Sequence, residues 1–470
     1  MIPVLTPEEM AAVDAAAPEP VEELIERAGA AVAREALQML GGGYGRRVVV
    51  LAGKGNNGAD GRSAARRLAR RGVRVDVVDA HDAPARLPIA DLVVDAAFGT
   101  GFRGGWDAPE AGDAPVLAVD IPSGVCGLTG QAAGTVLAAA RTVTFAALKP
   151  GLLLEPGRAL AGAVVVADIG LDVSSATAHV VEEADVAALL PARAPDAHKW
   201  TTAVMVVAGS PGMTGAAHLV AAAAQRAGAG MVRLATPGLA DDPSRPTEAV
   251  GLRLPDDGWA EAVSRELHRF RALVVGPGLG TSMATQGGVR LLLGSAPVPA
   301  VVDGDALTAV GRDHAVVRDR VAATVLTPHD AEYERLMGAA PGRDRLGAAR
   351  ALAAETGAVV LLKGATTVVA DPSGVVRLAT AGDARLATAG TGDVLSGVIG
   401  ALLARGVAPL DAAAAGAWLH GRAAAQGPRQ GLVASDLLGL LPTVLDEASV
   451  APRARPVERW LGVRRGEAGP

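Results

Sequence analysis

The chain has 470 residues, of which half are hydrophobic and 20% charged, with a net charge of -6. At roughly 150 residues per domain this is two or three domains of a soluble globular protein, without the basic excess of a nucleic-acid binder. Aromatic residues are only 2% of the chain, which argues against base-stacking platforms and leaves a core of Ala, Val and Leu.

Cys126 is the single cysteine. An internal disulfide is thereby excluded, a reducing, cytoplasmic setting is expected, and the thiol is expected to be buried and inert. The opening MIPVLTPEEM has no basic segment followed by an apolar run, so no signal peptide is read there. Trp200 to Gln225 lacks any charged side chain, but Gly209-Ser210-Pro211-Gly212 interrupts it. It reads as strand, loop and helix, with no membrane partner.

Thr6-Pro7-Glu8-Glu9 has the form of a capping box, with Pro at the first helical position. Val21, Leu24, Ile25, Ala28 and Val32 mark a second helix that ends at Gly41 to Gly43. Arg47 to Ala52 is then a buried strand running into Gly53-Lys54-Gly55-Asn56-Asn57-Gly58-Ala59-Asp60-Gly61. Gly53, Gly55 and Gly58 satisfy the dinucleotide fingerprint G-x-G-x-x-G, with Asp79 at the end of the next strand. The two asparagines and Asp60 equally suit a cation or a polar ring. Strand Asp91 to Ala97 leads into Phe98-Gly99-Thr100-Gly101-Phe102-Arg103-Gly104-Gly105, and strand Pro115 to Val119 into Asp120-Ile121-Pro122-Ser123-Gly124. Ligands of open α/β sheets bind at strand carboxyl ends, so the three turns converge on one site.

GKGNNGADG, VDAAFGTGF and VDIPSG, followed by VTFAALKPG and VVVADIGL, resemble the epimerase domain of the NAD(P)H-hydrate repair enzymes. The resemblance covers residues 1–175. It implies a Rossmann-like three-layer fold that interconverts the R and S hydrates of NADH and NADPH, called NADHX and NADPHX, around a potassium ion. By position, Asn57, Asp95 and Ser123 would be the potassium ligands, an all-oxygen set that suits a hard cation. Asn56, Asn57, Gly58, Ala59 and Asp60, with Gly99, Thr100, Gly101, Phe102, Arg103, Gly104 and Gly105, would hold the substrate, and Asp120 would act beside the reacting carbon. Ala59 departs from the family, which usually has a glycine there.

Residues 176–197, with Pro191 and Pro195, read as a linker. Beyond them strands alternate with helical stretches: Val204 to Ala208, Met231 to Ala235, Leu273 to Val275, Ala300 to Val302 and Val325 to Leu326. This predicts a second parallel sheet covered on both faces. Thr366 to Ala370 and Val375 to Ala379 predict a hairpin that forms an antiparallel edge. Neither a Walker loop nor the protein-kinase motifs occur. At Ala389-Gly390-Thr391-Gly392-Asp393 the glycines open a helix, where free N-H groups can cradle phosphate. Asp393 falls in its first turn, where the macrodipole favours a carboxylate able to accept a proton.

That motif, after Leu362-Lys363-Gly364 and Thr327-Pro328-His329 and together with GSPGMTGAA and GLVASDLL, resembles the ADP/ATP-dependent NAD(P)H-hydrate dehydratases over residues 198–450. The resemblance implies a ribokinase-like three-layer fold. It gives Lys363, Gly364, Ala365, Thr366, Thr367 and Gly392 to the adenine nucleotide, and Ala216, Gly278, His329 and Asp393 to the hydrate. Asp393 would be the catalytic base and a magnesium ion would accompany ADP or ATP. His329 has a plain alternative, as the cap of a helix after Thr-Pro. The tail 451–470 is expected to fray, and a homo-oligomer is compatible with the sequence. The rival reading is an NAD-dependent oxidoreductase domain fused to a small-molecule kinase.

Overall fold

The computed structural model describes residues 1–239, 241–255 and 258–450, so the expectation for the tail lies outside the described residues. Two compact units emerge, Ile2–Ala178 and the chain from His179 onward.

In the first unit a short β1 (Ile2–Val4) bridges to Leu148 through Val4. The helix Pro7–Ala16 carries the expected capping box: Thr6 accepts from the Glu9 N-H at 3.2 Å and Glu9 accepts from the Thr6 N-H at 2.7 Å. The sheet proper is β2 (Arg47–Ala52), β3 (Arg74–Asp79), β4 (Leu92–Ala96), β5 (Val116–Val119), β6 (Arg141–Phe145) and β7 (Ala163–Ala167). The strands are parallel in the order β3-β2-β4-β5-β6-β7. Period-two alternation divides β2 between two cores. Val48, Val50 and Ala52 join Ala28, Val32, Ala64 and Leu68 of the helices Val21–Leu40 and Asn56–Arg70, while Val49 and Leu51 face Leu87 and Leu137 from connecting segments. The chain leaves β2 to one side for β3 and returns on the other for β4. That reversal opens the crevice in which such sheets bind ligands.

The second unit begins with β8 (Ala178–Val180) and continues through β9 (Ala203–Val207), β10 (Met231–Ala235), β11 (Val250–Leu252), β12 (Ala272–Val275), β13 (Ala300–Val302) and β14 (Thr324–Leu326). It is completed by β15 (Val359–Leu362), β16 (Thr367–Ala370) and β17 (Val376–Ala379). Their order is β8-β17-β16-β15-β14-β13-β12-β9-β10-β11. All pairs from β11 to β15 are parallel, and β15, β16 and β17 pair antiparallel. The expected hairpin is present, but it is not an edge, because β8 lies beyond β17. The stretch read as a linker holds this strand and a helix, Glu183–Leu189, because Val181, Val186 and Leu190 are buried in the unit's core. Among the described residues no helix is long and apolar enough to cross a membrane.

The helix Thr391–Ala404 runs through the middle of this core. Val394, Val398, Ile399, Ala401 and Leu402 are fully buried, so it is apolar on every side rather than on one stripe. Such close packing needs small residues. A methyl on Gly397 would collide with the Val220 carbonyl oxygen and stand 2.8 Å from Ala223 Cβ of the helix Thr214–Arg226. Gly397→Ala should therefore destabilise this unit by about 1–3 kcal/mol, measured by denaturant titration of the full-length chain.

Candidate active sites

The crevice of the first unit is built from the turns after β2, β4 and β5. A Cβ at Gly53 would strike the Ala97 carbonyl and one at Gly58 the Gly53 carbonyl, so only glycine lets these turns close on each other. Asn56, Asn57, Gly58, Ala59 and Asp60 form the start of the helix Asn56–Arg70. Ala59 has none of the positive φ that would make its methyl a strain. Its departure from the family pattern leaves the backbone undisturbed.

Asp95 is completely buried and grips Ser123 twice, accepting from its hydroxyl at 2.6 Å and its N-H at 2.9 Å. Burial pushes the Asp95 carboxyl up, partly offset by these donors. Both polar atoms of the Asn57 side chain are buried with no hydrogen-bond partner. Gly99 joins Asn57 to Asp120: its Cβ position is 3.1 Å from Asp120 Oδ2 and 3.5 Å from Asn57 Cβ. The Thr100 N-H donates to Asp120 Oδ2 at 3.1 Å. Phe102 stacks on Phe98 at 4.4 Å between centroids, whereas Gly101, Gly104 and Gly105 have open space around them and Arg103 is exposed.

Asp120 has φ of 67°, a left-handed backbone that a non-glycine residue adopts at a cost of order 1–3 kcal/mol and that clusters at functional sites. Lys149, 1% exposed, holds it in place with Nζ 2.8 Å from Asp120 Oδ1, 2.8 Å from Thr144 Oγ1 and 3.0 Å from the Phe145 carbonyl. Burial alone would raise the Asp120 pKa, but the Lys149 ammonium and the other donors take it below the ordinary carboxylate value. Lys149 was not singled out as a site residue, although it stands in the segment VTFAALKPG, where it follows an apolar run with no polar neighbour to mark it. Cys126 corrects the expectation of a buried thiol: it sits in the turn after Gly124 and is exposed. Burial works to raise its pKa, but hydrogen bonds around Thr129 bring it below the usual thiol value.

In the second unit the turns after β9, β12, β13, β14 and β15 surround the start of the helix Thr391–Ala404. A Cβ on Gly278 would lie 3.0 Å from Ala216 Cβ, which puts these two residues side by side. His329 is the helix cap that the plain alternative describes. Its Nδ1 accepts from the N-H groups of Ala331 and Glu332 at 3.2 and 3.3 Å, and Glu332 accepts from the His329 N-H at 2.9 Å. With Nδ1 accepting, the neutral ring carries its proton on Nε2, on a side chain that is half exposed. Capping uses Nδ1, and Nε2 lies 3.5 Å from Glu332 Oε2.

Lys363 Nζ donates to Asp303 Oδ1 at 2.6 Å, and Ser396, in the second turn of the helix, donates to the other Asp303 oxygen at 2.7 Å. A methyl on Gly392 would sit 3.4 Å from Lys363 Nζ, so the ammonium lies over the helix N-terminus. Burial works against the Lys363 charge, and Asp303, Glu332 and Asp393 together outweigh it, keeping its pKa above the ordinary lysine value. Arg345 donates to the Lys363 carbonyl at 2.6 Å and pairs with Asp330, bracing the Lys363-Gly364 turn. Ala365 follows in that turn, buried Thr366 comes next, and Thr367 opens β16. Asp303, Glu332, Ser396 and Arg345 were not named as site residues: Asp303, Glu332 and Arg345 are far in sequence from Asp393, and Ser396, three residues after it, gains its role only through Asp303.

Asp393 lies in the first helical turn, as expected, but its environment differs from the one inferred. Burial, then Asp303, lift its pKa to about 6, against the pull of Lys363. The macrodipole does not win; burial, with the neighbouring carboxyls behind it, does.

Comparison with known proteins fits both sites. Residues 204–444 match the family model described as NAD(P)H-hydrate dehydratase, and residues 21–86 and 78–151 match the YjeF-related protein N-terminus. The bifunctional NAD(P)H-hydrate repair enzyme of Moorella thermoacetica is 39% identical, covering 85% of this chain and 87% of its own. The chain belongs to the bifunctional NAD(P)H-hydrate repair enzymes. The Mycobacterium tuberculosis repair enzyme is 41% identical over 82% of this chain and 84% of its own. The solved Bacillus subtilis ADP/ATP-dependent NAD(P)H-hydrate dehydratase, co-crystallised with ATP/Mg2+, is 30% identical with a TM-score of 0.50 over 57% of this chain and 97% of its own. A ribokinase-like superfamily protein of Enterococcus faecalis, 22% identical with a TM-score of 0.51 over 58% of this chain and 97% of its own, shares the fold.

A base at Asp393, the role that the resemblance gives it, would work only when ionised. Its pKa is raised, so the competent form is lost as pH falls through about 6. Hydrate-to-dihydronicotinamide conversion by the repair enzyme should accordingly rise from pH 5 to 7 and level off, read from a kcat/KM profile.

Proposed function

We propose that the first unit epimerises NADHX and NADPHX at Asp120 and that the second dehydrates the S form with ADP or ATP at Asp393, releasing AMP or ADP and phosphate. The carrying observation is Lys363 Nζ held over Gly392, next to Asp393, at a helix N-terminus. There an ammonium and free N-H groups meet the terminal phosphate while a base faces the attacking hydroxyl.

Asp393 removes the proton of the ring hydroxyl, which attacks the terminal phosphate and becomes a good leaving group. The ring nitrogen then expels phosphate to form the C=N bond, and loss of a proton from the adjacent ring carbon to water forms the ring C=C bond, returns the electron pair to nitrogen and restores the dihydronicotinamide. Ala216 and Gly278, in contact with each other, leave flat room for the ring, and His329 Nε2-H donates to the hydrate. Gly364, Ala365, Thr366 and Thr367 line the adenine nucleotide. Among the described residues no three His, Cys, Asp or Glu side chains converge as a metal cage. Mg2+ would enter with the nucleotide phosphates, which commonly supply part of its coordination. When bound it would neutralise charge developing on the phosphoryl group.

Asn57, Asp95 and Ser123 fit a potassium ion. The unpartnered, buried Asn57 amide and the buried Asp95 carboxylate are polar groups that a cation would satisfy. The ion would anchor the turns after β2, β4 and β5, and so the loop at Gly99 and Thr100 that orients Asp120. The rival oxidoreductase reading gains nothing from this crevice, because Asn57, Asp60 and Asp120 fill the place of a bare pyrophosphate turn. The exposed, unpaired Cys126 fits a reducing compartment, and we place the enzyme in the cytoplasm.

The decisive assay adds mixed NADHX epimers to purified protein and follows the return of NADH absorbance; no return with ADP or ATP would refute the proposal. Asp393→Asn should lower that rate by about 10²–10⁴-fold while R-to-S conversion, followed by chromatography, continues. Asn57→Ala should raise the potassium concentration for half-maximal epimerisation by about tenfold or more, with no change in dehydration of pure S hydrate.

A further inference from the structure

Four titratable side chains meet in the first unit: Asp14 from the helix Pro7–Ala16, Asp60 from the helix Asn56–Arg70, Asp120 from the turn after β5 and Lys149 from beyond β6. The two inner aspartates have opposite surroundings. Asp120 receives the Lys149 ammonium, the Thr100 N-H and the Thr144 hydroxyl. Asp60 is only 7% exposed, and among the described residues no N-H or O-H donates to it and no cation pairs with it. Its charged neighbours are carboxyls, Asp120 and Asp14.

A buried carboxyl without a donor, set among like charges, keeps its proton. Burial first, then Asp120 and Asp14, push the Asp60 pKa up to about 8. Asp14 cannot take this part so well, because it is half-buried and feels the opposing pull of Lys149. One pocket therefore presents an ionised carboxylate and a neutral carboxylic acid at neutral pH, the pairing that separates base from acid.

Inversion of a hydrate calls for such a pair. The hydroxyl sits on the carbon next to the ring nitrogen, so its departure is driven by the nitrogen lone pair but requires a proton. We propose that Asp60 is the general acid of the epimerisation and the counterpart of Asp120. Asp60 gives its proton to the departing hydroxyl, the C-O bond breaks, and the nitrogen lone pair forms the C=N bond. Water then adds to the opposite face, the C=N pair returns to nitrogen, and Asp120 accepts the proton the water loses. One inversion leaves Asp60 ionised and Asp120 protonated. The reverse inversion, or exchange with solvent, resets both, and water is the only co-reactant. The assignment rests on the reading of Asp120 as the base.

The test uses the full-length enzyme with R-NADHX in water enriched in oxygen-18, without adenine nucleotide, and chromatography to separate the epimers. In the wild type each inversion should bring one labelled oxygen into the S product, and kcat should fall as pH rises above about 8. Asp60→Asn should lower kcat by about a hundredfold with KM almost unchanged and abolish that alkaline decline, while Asp60→Glu, which keeps an acid, should recover part of kcat. Dehydration of pure S-NADHX by the second unit monitors concentration and folding. Inversion without label, a normal kcat in Asp60→Asn, a loss in KM alone, or an alkaline decline that persists in the variant would each overturn the role of Asp60. Full activity in Asp120→Asn would instead refute the reading of Asp120, so the two failures are distinct.

Discussion

A parallel strand buried on both faces has no place for a polar side chain along its length, so its chemistry must gather beyond its carboxyl end. Most groups in both candidate sites obey this constraint; Asp95 in β4 and Thr144 in β6 are buried polar exceptions close to the carboxyl ends of their strands. In the first unit it collects Asn57, Gly99 and Asp120 from three separate turns. In the second it brings Gly278, Asp303, His329 and Lys363 around the helix that starts at Thr391. Each set lies within one compact unit, so neither site needs a residue from the other.

Within that frame the two sites solve opposite electrostatic problems. Asp120 is a buried carboxylate kept charged by a buried lysine, which makes it available across the neutral range. Asp393 shares its surroundings with Asp303, Asp305 and Glu332, and the lysine there is engaged mainly by Asp303. Burial first, then these carboxyls, raise its basicity, closer to what a proton acceptor for a ring hydroxyl requires. A phosphoryl donor entering the same space meets Lys363 and the helix N-terminus, where positive charge is concentrated.

The turns were legible because glycine, asparagine and aspartate in fixed spacing mark backbone geometry directly. β2, the capping box at Thr6 and the helix start at Thr391 could all be read in the chain. What stayed hidden was long-range. Lys149 ends an ordinary apolar segment, and nothing local says that its ammonium folds back to Asp120. Asp303 gains its meaning from Lys363 and Ser396, 60 and 93 residues away. β8 was hidden for another reason: three residues between Ser174-Ser175-Ala176-Thr177 and the acidic Glu182 and Glu183 form a strand by pairing beside β17. Cys126 was misplaced because buried cysteines are the commoner kind, while a turn set its exposure.

The left-handed backbone at Asp120 also restricts what this position can become. Glycine, asparagine and aspartate enter that conformation with least difficulty, since a short polar side chain can bond locally while a longer or branched one crowds the carbonyl. Glycine would lose the carboxylate and asparagine the charge. The shape of the turn thus favours these three residues before chemistry is considered, and chemistry leaves one. A change to glutamate, conservative by charge, would carry an added backbone cost at this position.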